Sequence, residues 1–521
     1  MSRYFNPNNE SFSSDKNSMI YKDKTGLLEY LNGVIGTNRR CIAVSHARRF
    51  GKSHAAGMID AYYSRGCDST ELFQDTAIAK KKDYQKHLNQ YNVIHLDISS
   101  VWDFHKEDLV ESIKERICED FQKKFNNTLN YGKELYLIIQ DVYDCTGIPF
   151  VIIIDEWDCV IRNSKDEELV HQYLQFLHSL FKSEESKAFL ALAYITGILP
   201  IKKIKDESAL NNFKEYTMLE SYPITQYFGF TEDEVRSLCD EYHMDFETTK
   251  AWYNGYLIDG MHMYNPNSVS EAMERHKFGS YWRNTSSFDS INTFITMNYA
   301  GLKEDVMKML AGGCVRVNTN TFRNDFTSIA SKDDVLTALV HLGYLGYDCD
   351  KKKAFVPNYE VATAFEAALQ TGGWKEIAKA ISICDELLDE TIEMNAVRVA
   401  ELVELAHETY TSVLTYNDEN SLSCVLTMAY FTAPAYYQII REMPTGKGFA
   451  DFVLIPRANA GDRPAMVIEL KYDQSADAAI NQIKDKRYQG ALAGYHNRIL
   501  LVGINYDKDT KKHECVIEEN Q

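Results

Sequence analysis

Four continuously apolar runs, separated by amphipathic stretches, dominate the N-terminal part of the chain. The runs are Cys41–Val44, Val93–Ile98, Phe150–Ile154 and Ala188–Ile195. The stretches between them have helical periodicity, and they include Lys52–Ser64, Lys106–Phe125, Lys133–Cys145 and Glu167–Phe181. A strand that is apolar on both faces must be buried on both faces, so the alternation predicts a mostly parallel sheet covered by helices.

The chain has 521 residues, which is more than an ordinary single domain contains. We predict an α/β domain over residues 1–225, a mainly helical, aromatic-rich middle region over 226–405, and a C-terminal α/β domain over 406–521. In the C-terminal domain we expect helices at Glu419–Phe431 and Ala476–Ala493, and strands near Tyr437–Glu442, Phe449–Ile455, Ala465–Lys471, Arg498–Ile504 and His513–Ile517. In the middle region, Trp252, Tyr253 and Tyr256 are expected to pack between helices.

Charge and cysteine usage restrict the classes of protein. A net charge of -19 counts against broad, non-specific binding along nucleic-acid phosphates, although it permits a local basic groove. The 11 cysteines are scattered singly, without a CxxC pair, which favours reduced thiols over a disulfide framework or a zinc site. The polar N-terminus lacks the apolar core of a signal peptide, and no apolar run approaches the ~20 residues of a membrane span. We therefore expect a cytoplasmic protein without a membrane partner.

Gly51-Lys52-Ser53 follows the first apolar run and opens a predicted helix. Gly51 would let the backbone approach a phosphate, Lys52 would supply a positive charge, and the Ser53 hydroxyl could ligate Mg²⁺. The helix N-terminus would add unpaired N–H groups and the positive end of its dipole. Because His46 stands where the GxxxxGK[ST] pattern has its first glycine, an ordinary strand–turn–helix corner remains an alternative.

Asp155 and Glu156 end the third apolar run. At such a position an Asp can hold the Mg²⁺ shell of a bound nucleotide, and the adjacent Glu can polarise the attacking water. Two consecutive carboxylates at the end of a buried strand cost desolvation free energy, and the strand does not need them for stability. A solvated strand end is the alternative, but the order of the two motifs favours an ATP-hydrolysing site.

A second set of charged residues lies near the C-terminus. Glu469 and Lys471 are two apart on one predicted strand, so their side chains project from the same face. If the strand that contains Asp451 forms a hairpin with it, Asp451 can meet them. Two facing carboxylates repel unless a divalent cation lies between them, and oxygen ligands suit Mg²⁺ or Mn²⁺. Alternating charges on an exposed strand would look the same, so spacing alone leaves both interpretations open.

Several segments together resemble the prokaryotic AAA-ATPase-like family. They are Tyr21–Thr25 (YKDKT), Arg48–Ser53 (RRFGKS), Ile153–Asp158 (IIDEWD), Thr196–Ile198 (TGI), Leu210–Asn212 (LNN), Phe228–Thr231 (FGFT) and Trp252–Tyr256 (WYNGY). In that family the loop usually reads RPRRFGKS, and here His46-Ala47 replaces the Arg-Pro pair.

This resemblance implies a P-loop domain that binds ATP. The implied nucleotide-binding residues are Arg49, Gly51, Lys52, Ser53, Asp155 and Thr196, with Ser53 and Asp155 as Mg²⁺ ligands, Glu156 as catalytic base and Thr196 as a polar sensor. Guanidinium groups suit bidentate phosphate contact, so Arg48 and Arg49 could reach phosphates or a neighbouring subunit; two solvated loop arginines are the alternative. Oligomerisation therefore stays open.

The C-terminal domain resembles the PD-(D/E)xK nuclease superfamily, in the restriction-endonuclease-like form that accompanies AAA-ATPase-like domains. The matching residues are Asp451, Glu469 and Lys471, followed by Gln482 and Tyr488. The resemblance also covers Glu442 and Glu419, whereas Ala450 stands where a proline is usual. It implies that Asp451 and Glu469 hold Mg²⁺ or Mn²⁺ and that Lys471 orients or deprotonates the water that attacks a phosphodiester.

The leading hypothesis is an ATPase coupled to a metal-dependent, nuclease-like domain that acts on nucleic acid. The alternative is a nucleotide-dependent switch or scaffold, in which the C-terminal domain binds a partner without cleaving it.

Overall fold

The structure is a computed structural model in which two compact units are each assembled from several pieces of the chain. One unit, the loop unit, contains Met1–Ser237, Gly255–Glu271 and Val317–Lys352; the other, the C-terminal unit, contains Leu238–Asn254, Ala272–Arg316 and Lys353–Gln521. The described residues are 3–125, 129–201, 210–282, 294, 297, 299–310, 312–322, 329–371, 375–411, 430, 433, 436–445, 448–456, 460–485 and 498–520. The middle region thus contributes to both units.

A five-stranded sheet forms the centre of the loop unit. Its strands are β1 (Cys41–Ser45), β2 (Asn92–Asp97), β3 (Phe150–Asp155), β4 (Leu190–Gly197) and β5 (Lys214–Thr217). They lie in the order β2-β3-β4-β1-β5, and all four neighbouring pairs are parallel. The predicted parallel sheet is confirmed.

Residues of β1, β2, β3 and β4 enter two different hydrophobic clusters. Ile152 and Ile154 of β3 pack with one set of helices, whereas Val151 and Ile153 pack with the other. This is the arrangement expected of a sheet whose two faces are both covered, and it explains why the strand residues are continuously apolar.

The four helices predicted between the N-terminal strands are present, with small shifts at their ends. The helices before residue 230 are Glu10–Lys16, Gly26–Val34, Lys52–Tyr63, Thr70–Phe73, Tyr84–His87, Ile98–Trp102, Leu109–Phe125, Leu135–Thr146, Cys159–Asn163, Glu167–Lys182 and Glu184–Phe189. The predicted strand Ala188–Ile195 starts too early, because Ala188 and Phe189 end a helix that Ser183 caps through its side chain.

The carboxyl ends of β1 and β4 are neighbours at the point where the connections of the sheet change direction. From β1 the chain continues to β2, at one edge of the sheet. From β4 it continues to β5, at the opposite edge. In open α/β sheets, ligands bind outside the carboxyl ends of strands at such a switch point. The loop after β1 and the end of β4 therefore mark the candidate site.

The middle of the chain contains short strands as well as helices. In the loop unit, β6 (Phe230–Thr231), β7 (Tyr256–Ile258) and β8 (Met261–Tyr264) form an antiparallel sheet in the order β6-β8-β7. The further strands are β9 (Val315–Arg316), β10 (Gly346–Asp348) and β11 (Lys353–Phe355). The helices are Glu232–Tyr242, Phe246–Tyr253, Pro266–Arg275, Leu302–Leu310, Lys332–His341, Tyr359–Thr371, Lys375–Ile392 and Ala396–Thr411.

A mixed sheet forms the C-terminal part of the chain. Its strands are β12 (Tyr437–Thr445), β13 (Gly448–Pro456), β14 (Ala465–Tyr472), β15 (Ile499–Asp507) and β16 (Lys512–Asn520), in sequential order. Only β14 and β15 pair in parallel among these neighbours, and the helix Ala476–Asp485 lies between them in the chain. The helix packs on the sheet at Gly503, where an added Cβ would lie 2.5 Å from the Ala476 carbonyl oxygen.

Within the described part of the chain, no helix combines the length and the apolar character needed to cross a membrane.

Candidate functional site

The loop between β1 and the helix Lys52–Tyr63 places a glycine with a left-handed backbone directly before the helix. Gly51 has φ +86°, and an added Cβ there would meet no atom within 4 Å. Lys52 begins the helix and is buried, and its ammonium donates a hydrogen bond to the Ala47 carbonyl oxygen at 3.0 Å. Ser53 is exposed in the first turn of this helix, and Arg49 is exposed with φ +66°.

Aromatic packing holds this loop from behind. Phe50 is fully buried, and its ring packs edge-on against Tyr256 of β7 with the centroids 5.1 Å apart. The Phe50 carbonyl oxygen accepts a hydrogen bond from the Gly229 amide at 3.0 Å, and the Tyr256 hydroxyl donates to the Gly343 carbonyl oxygen at 2.8 Å. Tyr253 and Tyr256 are buried, and Trp252 packs against Tyr359 at 5.0 Å. The prediction that Tyr256 packs between helices is wrong, because Tyr256 lies in the strand β7 and packs against the loop.

His46 serves the same loop as a neutral, buried side chain. Its Nε2 lies 2.6 Å from the Ser221 hydroxyl, and its ring lies 5.1 Å from that of Phe228. Burial, reinforced by the nearby Lys52 and His341, lowers the pKa of His46 to about 3. The residue that replaces an arginine of the family loop thus anchors the loop internally and is uncharged at neutral pH.

A cluster of charged side chains lies at the end of β3. Asp155 is buried and accepts the Glu156 amide hydrogen at Oδ1, 2.9 Å away, while Glu156 itself has φ +52°. Burial lowers the pKa of Lys52, and the negative charges of Glu156, Asp155 and Asp158 oppose that effect. Burial also raises the pKa of Glu156, and Lys52 and Arg162 oppose it. The structure therefore places Lys52, Asp155 and Glu156 close enough for their charges to interact.

Asp158 and Arg162 belong to this cluster, although the sequence analysis did not identify them. Arg162 Nε donates to Asp158 Oδ2 at 2.9 Å, and Arg162 Nη2 donates to Glu156 Oε2. Asp158 Oδ2 also accepts the amides of Ile198 and Leu199 at 3.1 and 2.8 Å. The spacing of Asp158 and Arg162, four residues along a helical segment, was visible, but the same spacing is common on helix surfaces.

Thr196 lies next to β1, with Val44 as its partner in the parallel ladder. It is fully buried, and its Oγ1 has no hydrogen-bond partner among the described residues. A buried hydroxyl without a partner is uncommon and indicates a group that a ligand or water satisfies. This position suits the predicted polar sensor.

The donor set of this site fits a nucleotide and a hard divalent cation. The helix N-terminus after Gly51 and the Lys52 ammonium suit phosphate oxygens, and the Ser53 hydroxyl and Asp155 carboxylate suit Mg²⁺. Arg49 does not share the buried cluster, because its side chain lies on the exposed side of the loop.

The second candidate site lies in the C-terminal unit, on the antiparallel pair β13–β14. Phe452 is opposite Ile468, so one step further along the same register brings Asp451 opposite Glu469. Asp451 Oδ2 accepts the Leu470 amide at 2.8 Å, which holds the carboxylate at this edge of the hairpin. The antiparallel pairing on which a meeting of Asp451 and Glu469 depended is present, and residues directly opposite each other on such a pair share one face.

Glu469 is nearly fully buried and accepts two hydrogen bonds at Oε1. Lys471 Nζ lies 3.3 Å from this oxygen, and Gln482 of the helix Ala476–Asp485 donates to it as well. Two carboxylates beside an ammonium form an oxygen-rich donor set that suits Mg²⁺ or Mn²⁺ with additional water ligands. Among the side chains that the structure describes, no group of three or more His, Cys, Asp or Glu residues is suited to a metal ion.

Three residues of the predicted nuclease set are not placed. Glu419 and Tyr488 lie outside the described residues, and for Glu442, in β12, only the backbone is described.

Comparison with known proteins assigns both parts of the chain. Residues 10–205 match the family model described as predicted AAA-ATPase, and residues 417–515 match that of the PD-(D/E)XK nuclease superfamily. A protein of Azotobacter chroococcum mcd 1, named "Uncharacterized protein in vnfD 5'region", is 21% identical over 514 residues, which cover 94% of this chain and 93% of that protein.

Two solved structures show a partial likeness to this chain. The ORC2 protein of Aeropyrum pernix is 10% identical with a TM-score of 0.34, over 71% of this chain and 99% of that chain. CDC6p from Pyrobaculum aerophilum is 10% identical with a TM-score of 0.27, over 71% of this chain and 98% of that chain. Similarity at this level does not establish a shared arrangement of the whole chain. The family matches and the geometry lead to one assignment: residues 10–205 form an AAA-ATPase-like domain, and residues 417–515 form a domain of the PD-(D/E)XK nuclease superfamily.

Proposed function

We propose that the N-terminal domain binds and hydrolyses ATP, using the loop after β1 and the carboxylates at the end of β3. The observation that carries this proposal is the buried Lys52 ammonium, whose surrounding charges are Glu156, Asp155 and Asp158. A buried lysine is costly unless it is paired, and its position at a helix N-terminus prepares it to exchange protein oxygens for phosphate oxygens.

Each residue of the site then has a defined task. Lys52 neutralises charge on the β- and γ-phosphates, and the backbone after Gly51 donates N–H groups to them. Ser53 and Asp155 would hold Mg²⁺, which when bound neutralises charge that develops on the phosphate oxygens. Glu156 orients and polarises the attacking water, and Thr196 Oγ1 donates to a polar group of the nucleotide.

We assign metal-dependent cleavage of nucleic acid to the C-terminal domain. Asp451 and Glu469 would hold Mg²⁺ or Mn²⁺, and Lys471 would orient the attacking water. ATP bound at the loop would control this activity. The competing function is a nucleotide-dependent switch that binds its partner without cleavage, and it is favoured by Glu469 Oε1, which already accepts hydrogen bonds from Lys471 and Gln482.

Measurement of ATP turnover by the full-length protein, alone and with single- and double-stranded DNA and RNA, tests the proposal. We expect Mg²⁺-dependent hydrolysis in the parent and a decrease on the order of 10²-fold in Glu156→Gln, because the water loses its base. Parent-level hydrolysis by Glu156→Gln would require another residue to act as the base. Absence of hydrolysis and of ATP binding in the parent would refute the ATPase assignment.

A further inference from the structure

The side chain of Arg162 bridges two carboxylates of the proposed ATP site, those of Glu156 and Asp158. Its Nη2 donates to Glu156 Oε2 and its Nε donates to Asp158 Oδ2, the latter at 2.9 Å. The side chain is only 9% exposed, Asp158 is 0% exposed and Glu156 is 25% exposed. A guanidinium with this fork of donors forms directional bonds, which are stronger and more specific than a contact with a point charge.

Asp158 is itself fixed to the end of β4. Its Oδ2 accepts the amides of Ile198 and Leu199, and a Cβ at Gly197 would lie 2.6 Å from its Oδ1. Asp158 therefore has no room to move toward β4 and is tied to the backbone that follows Thr196. A chain of hydrogen bonds runs from this backbone through Asp158 and Arg162 to Glu156.

One oxygen of Glu156 accepts no hydrogen bond from the described residues. Arg162 binds Oε2, which leaves Oε1 available to a water molecule. The backbone of Glu156 is in the left-handed region, with φ +52°, a conformation that a non-glycine residue keeps only when its surroundings hold it. The Trp157 amide supports it from the other side by donating to the Thr196 carbonyl oxygen at 3.0 Å.

We propose that Arg162 is a positioning residue for ATP hydrolysis: it holds the Glu156 carboxylate by one oxygen and directs the other oxygen to the attacking water, with Asp158 as the anchor. This inference rests on the proposed ATPase function and assigns Arg162 no contact with ATP. It also ties the orientation of the base to the backbone after Thr196, so a nucleotide that shifts Thr196 moves the base through Asp158 and Arg162.

Steady-state ATP hydrolysis by four full-length variants tests the role. For Arg162→Ala we expect kcat to fall about 10- to 100-fold, which is part of the roughly 10²–10⁴-fold that a positioned base contributes. The KM for ATP should change by less than about 3-fold, because the lost interaction acts on the chemical step. Arg162→Lys keeps the charge and the fold but cannot bridge both carboxylates, so it should recover only part of kcat. The matched control is Arg236→Ala, which removes an exposed arginine paired with Glu232 at 3.4 Å in the same unit and should hydrolyse ATP at the parental rate.

The fourth variant, Arg162→Ala combined with Glu156→Gln, separates a role through Glu156 from a structural role. If Arg162 acts through Glu156, the double variant should hydrolyse ATP within about 2-fold of Glu156→Gln alone. Parental kcat in Arg162→Ala, or additive losses in the double variant, would overturn the inference while leaving the ATPase assignment intact. A parent protein that neither binds nor hydrolyses ATP would overturn both.

Discussion

The ring of Phe50, in the loop after β1, packs edge-on against the ring of Tyr256, which follows it by about two hundred residues in the chain. The two residues belong to different sequence motifs, RRFGKS and WYNGY, and both residues lie in the loop unit. Through Tyr256, the hairpin β7–β8 packs against the loop.

This contact predicts an effect on nucleotide affinity from a residue behind the loop. Tyr256→Leu keeps apolar volume but loses the edge-to-face contact, which contributes about 0.5–1.5 kcal/mol, so the Kd for ATP should rise about 2- to 10-fold. Tyr256→Phe keeps the ring and loses only the hydrogen bond to the Gly343 carbonyl oxygen, so its Kd should stay parental while its Tm falls. Calorimetric titration with ATP checks both; parental affinity in Tyr256→Leu would contradict the supporting role.

Lys52→Ala should remove most ATP binding while the fold survives. The ammonium that would neutralise phosphate charge is lost, and the carboxylates around it then face the nucleotide uncompensated. Calorimetry with Mg-ATP measures the affinity, and circular dichroism monitors the fold. Lys81→Ala is the control, because Lys81 forms an exposed ion pair with Glu29. Unchanged Mg-ATP affinity in a folded Lys52→Ala protein would rule out the loop as the nucleotide site.

Two glycine substitutions should have opposite effects on stability. At Gly197 a methyl group would lie 2.6 Å from Asp158 Oδ1 and 2.7 Å from Trp157 Nε1, so Gly197→Ala should destabilise the protein by about 1–3 kcal/mol. At Gly33, inside the helix Gly26–Val34, nothing lies within 4 Å, so Gly33→Ala should stabilise it by about 0.5–1 kcal/mol. The melting temperatures of the two variants and the parent test both predictions. Equal changes in melting temperature in the two variants would contradict the close packing at Gly197.

Acid should destabilise the loop unit through His46. The pKa of His46 is about 3 in the folded protein, against roughly 6.5 in the unfolded chain, so between these values only the unfolded chain takes up the proton. The stability that depends on neutral His46 is complete above pH 6.5 and decreases by about 1.4 kcal/mol per pH unit as the pH falls toward 3.

The difference between the melting temperatures at pH 7.5 and pH 5 should therefore be smaller in His46→Leu than in the parent. His178→Gln, which changes an exposed histidine, should retain the parental pH dependence. An identical pH dependence in His46→Leu and the parent would mean that His46 does not titrate as its burial implies.

The C-terminal site predicts different results for its lysine and its first aspartate. Lys471→Ala should abolish nucleic-acid cleavage and spare Mn²⁺ affinity, whereas Asp451→Ala should lose both, because only the carboxylate is a metal ligand. Lys484→Ala, which breaks an exposed ion pair with Glu518, is the control and should cleave like the parent. If the ATP-loaded parent neither binds Mn²⁺ nor cleaves DNA or RNA, the domain is a binding module and the switch function applies.

The sequence predicted the buried parts of the fold better than its edges. The central strands were predictable because consecutive residues such as Ile152 and Ile153 are both apolar, although their side chains lie on opposite faces of the sheet. A strand needs this pattern when both faces of its sheet are covered. The edge strand β5 (KEYT) was missed because one buried residue, Tyr216, among three polar ones is too weak a pattern to distinguish from a loop.

The hairpin β7–β8 was missed although its turn was visible. Asp259 and Gly260 connect the two strands, with φ +51° and +76°, and Asp-Gly is a strong signal for this type of turn. The surrounding aromatic residues favoured helix packing instead. At the site, Lys52, Asp155 and Glu156 were predictable from local motifs, whereas Arg162 was not, because its importance depends on Asp158 being held by β4.

The division of the chain has a consequence for its synthesis and for its gene. The loop unit contains Gly255–Glu271, which carries the hairpin behind Phe50, and Val317–Lys352. Its last piece therefore leaves the ribosome only after Leu238–Asn254 and Ala272–Arg316 of the other unit have been made, so the loop unit cannot complete its folding before these two pieces are synthesised. For the same reason no continuous stretch of the gene encodes the loop unit alone, because any segment that contains all three of its pieces also encodes Leu238–Asn254 and Ala272–Arg316 of the other unit.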